Sequence, residues 1–332
     1  VVHDNVINIV GLEGSHNFYA IYAWASHNLT VQANVTTYDG KSDGQSHTNA
    51  IYVSQSNDVV ISDNQIYAKL VSVPILWVES PPSSFNYLPD TFSEVIKFDD
   101  CKALELSTNS IEVRYSNFTG QNDSIYTVEL FGCDDAVIED NIIYGSGHSY
   151  IYGLVIRGKD FTVSGNDIII FSDENYVAGI EIDDDSTGIV NQNHILVFSP
   201  YVAYGICAQM NWGFFQYPDV DYLDNYIVAD SHAVYAMNIS GADSIISGNT
   251  ITATGNYTMG ILFMMMDDAA VITNNEITVK GLKNDTEAVG DLIPAQTVGI
   301  LAMSDSEIKN NVITSTGNYT VITSADAGEI TD

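Results

Sequence analysis

The sequence predicts an all-β solenoid, a right-handed parallel β-helix of about eleven coils with an internal asparagine ladder. Three observations predict it. A short motif recurs along the whole chain, a second motif of strict period two precedes most copies of it, and Gly, Asn, Ser, Thr and β-branched residues dominate while only 16% of residues are charged.

The first motif reads apolar-x-x-Asn-x-apolar. Its copies are Val2/Asn5/Ile7, Ile61/Asn64/Ile66, Leu106/Asn109/Ile111, Ile138/Asn141/Ile143 and Val163/Asn166/Ile168. They continue at Val190/Asn193/Ile195, Tyr222/Asn225/Ile227, Ile246/Asn249/Ile251, Ile272/Asn275/Ile277 and Ile308/Asn311/Ile313, with Val31/Asn34/Thr36 a weaker copy. Successive asparagines are 24 to 45 residues apart, the period of a solenoid repeat. The near-duplicate stretches "SGNTITATGNYTMGI" and "KNNVITSTGNYTVIT" are thus two coils written with the same turn chemistry.

The second motif includes "AIYAWAS", "AIYVSQS", "GLVIRG", "GIEIDDD" and "GILFMMM". Alternate residues are apolar: Ile21 and Ala23, Ile51 and Val53, Val128 and Leu130, Ile180 and Ile182, Ile261 and Phe263. Period two over a short run is a strand with one buried face. Each repeat then holds about three short strands between Gly/Asn/Asp/Ser turns, and buries its inner face only by stacking on its neighbours. At about 4.8 Å per coil the rod is roughly 50 Å long. The motif asparagine is expected to take a bend, bond its own backbone and bond the same amide one coil away. Asn64, Asn109, Asn141, Asn166, Asn193, Asn225, Asn249, Asn275 and Asn311 are therefore read as structural, with Asn34 also inside.

Charge narrows the partners. Forty-three acidic residues against ten basic ones give −33, which repels phosphate backbones, anionic lipid and acidic polysaccharide. Neutral glycans, proteins and metal cations remain, and solubility alone also accounts for such a surface. No apolar run is long enough for a membrane span. The first residues, "VVHDNVINIV", already read as a repeat unit, so one domain over 1–332 is expected, cut from a longer chain.

Three interruptions break the regular coil, at about 67–95, 208–221 and 280–297. Such insertions gather on one face of a solenoid and carry binding. Trp77 in the first and Trp212, Phe214, Phe215 and Tyr217 in the second are the candidate ligand-binding rings, suited to sugar faces or to a protein partner. The third is expected to cover an apolar patch made by Leu262, Met264, Leu301 and Met303.

With the strand motifs in register, Lys97 and Asp99, Glu129 and Phe131, Val155 and Arg157, and Glu181 and Asp183 face outward on successive coils. Glu129 and Glu181 stand about 9.6 Å apart by coil spacing. That is near the separation of an inverting carboxylate pair, with Arg157 between them. Glu129, Glu181, Asp183 and Arg157 are the candidate catalytic set; in so acidic a chain, Arg157 neutralising its neighbours is the simpler reading. No His-Glu-x-x-His, P-loop or dinucleotide fingerprint occurs, and no cofactor is expected. Acidic turns at Asp99–Asp100, Asp134–Asp135, Asp267–Asp268 and Asp183, Asp184 and Asp185 would suit bridging calcium, or are simply solvated. Cys101 and Cys133 each precede a ladder asparagine by eight residues, so they stack in neighbouring coils as a disulfide or as buried thiols. Cys207 has no evident partner.

The asparagine-anchored coils, the "GNYT" turns at Asn256 and Asn318 and the acidic, Asn-, Ile- and Tyr-rich composition resemble the β-helix repeats of archaeal surface proteins, the adhesin-like proteins of methanogens in particular. The resemblance implies an extracellular, cell-surface, glycosylated rod for attachment or wall architecture. Its partners would be a glycan or surface protein of another cell, or neighbouring envelope subunits. Similar repeats also occur in polysaccharide lyases and epimerases. Sequons at Asn28, Asn117, Asn122, Asn238, Asn256, Asn284 and Asn318 are candidate glycosylation sites, although Asn/Thr-rich turns produce sequons by themselves. A sequon at Asn34 is expected to stay bare inside the ladder. The resulting expectation is an adhesin-like or envelope module binding through its loops. The alternatives are a polysaccharide-cleaving enzyme of hydrolase or lyase type and a subunit of a surface layer or filament.

Overall fold

A computed structural model describes residues 1–10, 18–42, 48–72, 92–116, 124–148, 150–183, 186–209, 217–241, 243–264, 270–282, 297–302, 306–317, 320–324 and 330–331. These residues form strands and turns, with no helix long and apolar enough to cross a membrane among them.

The strands form three sheets. The first has twelve strands, from Val2–His3 to Ile330–Thr331. The second has eleven, from Val6–Val10 to Val312–Thr316, and the third eleven, from Phe18–Trp24 to Thr320–Ser324. In every sheet the neighbouring strand lies three strands on in sequence, and pairing is parallel, as in Ile138↔Val163 and Ile143↔Ile168. The chain therefore visits the three sheets in turn and closes one coil per visit: a parallel β-helix. The core is the inner face of all three sheets. Val31, Ile61, Leu106, Ile138, Val163 and Val190, three residues before their asparagines, are fully buried, as are the alternate apolar positions of the period-two motif from Ile51 onward.

The asparagine ladder runs between the first two sheets. Asn64 Nδ2 donates to Asn109 Oδ1 at 3.0 Å, and the Asn64 backbone N–H donates to the same oxygen at 3.0 Å. The amide is completed by Ser62 O in its own coil and Val31 O in the coil before, both at 2.9 Å. The pattern repeats through Asn275, whose Nδ2 reaches Asn311 Oδ1 at 2.9 Å. A buried amide is tolerated only when its donors and acceptor are matched, as they are here.

The bend falls elsewhere than expected. In all eleven coils the residue just before the ladder asparagine is left-handed, with φ between +52° (Ala33) and +70° (Gly248). Asp, Asn and Gly take up most of these positions because they bear that conformation at least cost. The asparagine supplies the hydrogen bonds and its predecessor supplies the corner.

A second column lines the corner between the third and first sheets. Ser26 N donates to Ser56 Oγ at 3.0 Å, Gly158 N to Ser186 Oγ at 3.2 Å and Ala270 N to Ser306 Oγ at 3.3 Å. Ser56 Oγ turns back to Ser54 O at 2.9 Å; in the same place Cys101 Sγ meets Asp99 O and Cys133 Sγ meets Phe131 O, each at 3.6 Å. Of the two arrangements open to these cysteines, the structure holds free, buried thiols standing in for serine. Mid-strand glycines of the third sheet form another column. A Cβ on Gly179 would sit 2.6 Å from Gly205 O and 2.4 Å from Ile195 Cγ2, so the coils stack there without side chains.

Strand edges narrow all three interruptions. Gln65–Ser72 and Phe92–Asp99 bound the first, Val202–Gln209 and Asp219–Leu223 the second, and Glu276–Gly281 and Thr297–Ala302 the third.

Candidate functional site

The outer face of the third sheet carries the site. In-register pairing turns each outward position into a column along the rod. One column runs Tyr22, Tyr52, Lys97, Glu129, Val155, Glu181 and Cys207; a parallel one runs Trp24, Ser54, Asp99, Phe131 and Arg157. The columns expected from the motifs are the columns found.

Their exposure divides the face into three parts. At the first part, Tyr22 (56% exposed) and Trp24 (61%) form an aromatic shelf. The Tyr22 and Tyr52 rings stack with centroids 5.6 Å apart, Tyr19 packs 5.4 Å from Tyr52, and Trp24 Nε1 donates to Gln55 Oε1 at 3.1 Å. Next comes a cleft of about 320 Å³ lined by Tyr19, Asn49, Tyr52, Lys97, Asp99, Glu129, Phe131 and Arg157. Beyond it a tyrosine stack takes over: Tyr126, Tyr152, Tyr176, Tyr204 and Tyr235, with successive centroids 5.0, 5.5, 4.9 and 5.1 Å apart.

Inside the cleft every charge has a partner. Lys97 Nζ lies 3.0 Å from Glu94 Oε1 and 3.1 Å from Glu129 Oε2. Burial alone would lower the Lys97 pKa, but these two carboxylates outweigh it and raise it. Arg157 sets Nε and Nη2 on Asp183 Oδ2 at 2.9 and 2.8 Å, with its guanidinium 5.5 Å from the Phe131 ring centroid. Its pKa likewise rises, Asp183 outweighing burial. Asp99 Oδ2 accepts from Tyr52 Oη at 3.3 Å, and the phenol is pushed up, chiefly by burial.

Glu129 and Glu181 share a column, yet neither stands in open solvent. Glu129 is 4% exposed, and burial raises its pKa against the pull of Lys97. Glu181 lies outside the cleft lining, its Oε2 is buried without a hydrogen-bond partner among the described residues, and burial with Asp183 nearby pushes it up to about 8. Arg157 is committed to Asp183 rather than poised between the two glutamates.

The other candidate residues are scattered. Trp77, Trp212, Phe214 and Phe215 lie outside the described residues, as do Asp184, Asp185, Asp267, Asp268, Met303, Asn117, Asn122, Asn284 and Asn318. Tyr217 is partly buried against the core. Leu262 is buried and Leu301 half-buried. Asn28 is exposed, with φ +56°. Asn238 is half-buried, its Nδ2 3.8 Å from Cys207 Sγ, and Asn256 Nδ2 lies 3.0 Å from His232 Nδ1. Asn34 is buried and spends its Nδ2 on the ladder. Of the acidic turns, Asp135 pairs with Lys102 at 3.8 Å and Asp134 Oδ1 accepts from Lys159 N at 3.1 Å. No group of three His, Cys, Asp or Glu that could hold a metal ion occurs among the described residues.

The shelf was not singled out in the sequence, although "FYAIYAW" and "NAIYVS" place Tyr22, Trp24 and Tyr52 on the outward half of the alternation; Tyr19 shares the parity of Ile21 and Ala23 and joins the shelf only in the structure. No family model and no curated protein matches this chain.

Proposed function

We propose that this chain is a glycan-binding rod, an adhesin-like module of a cell envelope, whose binding face is the shelf and cleft of the third sheet. The observation that carries the reading is the junction of exposed rings, Tyr22 and Trp24, with a cleft whose polar groups are held in place by ion pairs. Aromatic faces suit the C–H faces of sugars, and fixed donors and acceptors suit their hydroxyls. Turnover is disfavoured by the same geometry. Glu129 is tied to Lys97, and Glu181 is half-buried outside the cleft lining, so these two carboxylates do not flank one cleft. An extracellular location is part of the proposal and rests on the resemblance of the repeats.

The test is retention of the chain on immobilised wall and host glycans, with the recovered polymer sized afterwards. Retention that Trp24→Ala with Tyr52→Ala abolishes, with polymer length unchanged, supports the reading. Shortened polymer refutes it in favour of an enzyme.

A further inference from the structure

This inference rests on the glycan-binding reading and deepens it. We propose that the shelf and cleft take an extended polysaccharide without acidic groups, lying parallel to the rod axis, one sugar unit against each coil.

Direction follows from register. A ligand laid along one strand of the third sheet would meet only two cleft-facing side chains, such as Lys97 and Asp99. A ligand laid across the strands meets a new row on each coil. The rows are Tyr22 with Trp24, then Tyr52, then Lys97 with Asp99, then Phe131 over the buried Glu129, followed by Arg157. Coils repeat at about 4.8 Å, comparable to the advance of one pyranose unit in an extended chain. The rows also alternate in character. Rings at the two ends, Trp24 and the 43%-exposed Phe131, flank a polar middle formed by Lys97 and Asp99. A chain of pyranoses presents apolar faces and hydroxyl edges in the same way.

Absence of negative charge on the ligand follows from the ion pairs. The cleft and its supports hold two cations, Lys97 and Arg157, against four carboxylates, Glu94, Glu129, Asp99 and Asp183. Both cations are already compensated at 3.1 Å or less. A uronate would have to displace a protein carboxylate from a partly buried pair and would approach against a net charge of −33. Hydroxyls need no such exchange.

The experiment is calorimetric titration of the full chain with uncharged oligosaccharides of one to eight units, β-linked glucose, mannose and N-acetylglucosamine, beside polygalacturonate and polyglucosamine. Affinity is expected to rise with each unit up to about five, the number of rows, and then level off. Trp24→Ala and Phe131→Ala, at opposite ends of the site, should each weaken the longest ligand about tenfold, with the melting temperature unchanged. Trp24→Ala should leave a dimer bound at the Phe131 end untouched. Affinity independent of length, or preference for polygalacturonate over the other polymers, overturns the inference while leaving glycan binding intact. No binding in any arm overturns both.

Discussion

Asn109 Nδ2 donates to Asn141 Oδ1 at 2.9 Å, joining residues 32 positions apart, and the Asn109 backbone N–H donates to the same oxygen at 3.0 Å. One buried side-chain oxygen thus serves two donors of the neighbouring coil, while Asn141 passes the bond on to Asn166 at 2.9 Å.

Asn141→Ala should therefore cost more than one ordinary hydrogen bond. It leaves the buried Asn109 backbone N–H without its acceptor, takes one of three acceptors from Asn109 Nδ2, and removes the side-chain donor to Asn166 Oδ1 and Leu106 O, each orphaned group costing about 1–3 kcal/mol. We expect a loss of about 3–5 kcal/mol in denaturant melts, against about 1 kcal/mol or less for the exposed Asn28→Ala, which places an alanine at φ +56°. Equal effects at the two sites would show that the ladder contributes no stability.

The corner before the asparagine makes an opposite prediction. Ala33 holds φ +52°, which costs an L side chain about 1 kcal/mol and glycine almost nothing. Ala33→Gly should raise stability by up to about 1 kcal/mol, less the greater freedom of glycine in the unfolded chain. A clear loss in the same melts would mean that the Ala33 methyl makes a contact worth more than the strain.

Glu181 sets a pH dependence. Its ordinary value of 4.5 is raised to about 8 in the fold. Between these values the folded chain keeps a proton that the unfolded chain releases, so this group's contribution is full below about pH 4.5 and is lost as pH rises to about 8. Glu181→Gln should leave the melting temperature near that of the parent at about pH 5 and raise it above the parent at about pH 9. Parallel curves for the two proteins across that range would rule out a buried, protonated Glu181.

The cysteines should behave as buried members of a serine column. Their mutual hydrogen bond pushes the Cys133 thiol up and pulls Cys101 down, and burial of both shields them from reagents. Ellman's reagent should find no reactive thiol among Cys101, Cys133 and Cys207 in the folded chain, and all three after unfolding. Cys133→Ser, which copies Ser56 two coils along the column, should cost about 1 kcal/mol or less. Rapid labelling of the native protein would contradict the burial of the pair.

The sequence by itself determined the architecture. A polar amide recurring between two apolar residues, as at Ile138/Asn141/Ile143, has only one economical burial, against its own copy in the next coil. The period-two runs then set which residues share an outer column, and Lys97, Glu129, Val155 and Glu181 fall together as their spacing requires. These properties are legible because hydrogen-bond stoichiometry and strand alternation are local rules, repeated coil after coil.

Only the tertiary structure decided what each column does. Glu129 and Tyr22 are both outward on the same sheet, yet one is buried beside Lys97 and the other is more than half exposed. Alternation states which way a side chain points and not what lies over it; exposure depends on the bulk of neighbours on the same and adjacent coils, such as Tyr126 on the strand of Glu129 and Tyr152 packed on it from the next coil. The placing of the left-handed corner one residue ahead of each asparagine was hidden for a similar reason. The amide can bond its neighbours in every coil only if the chain has already turned before reaching it.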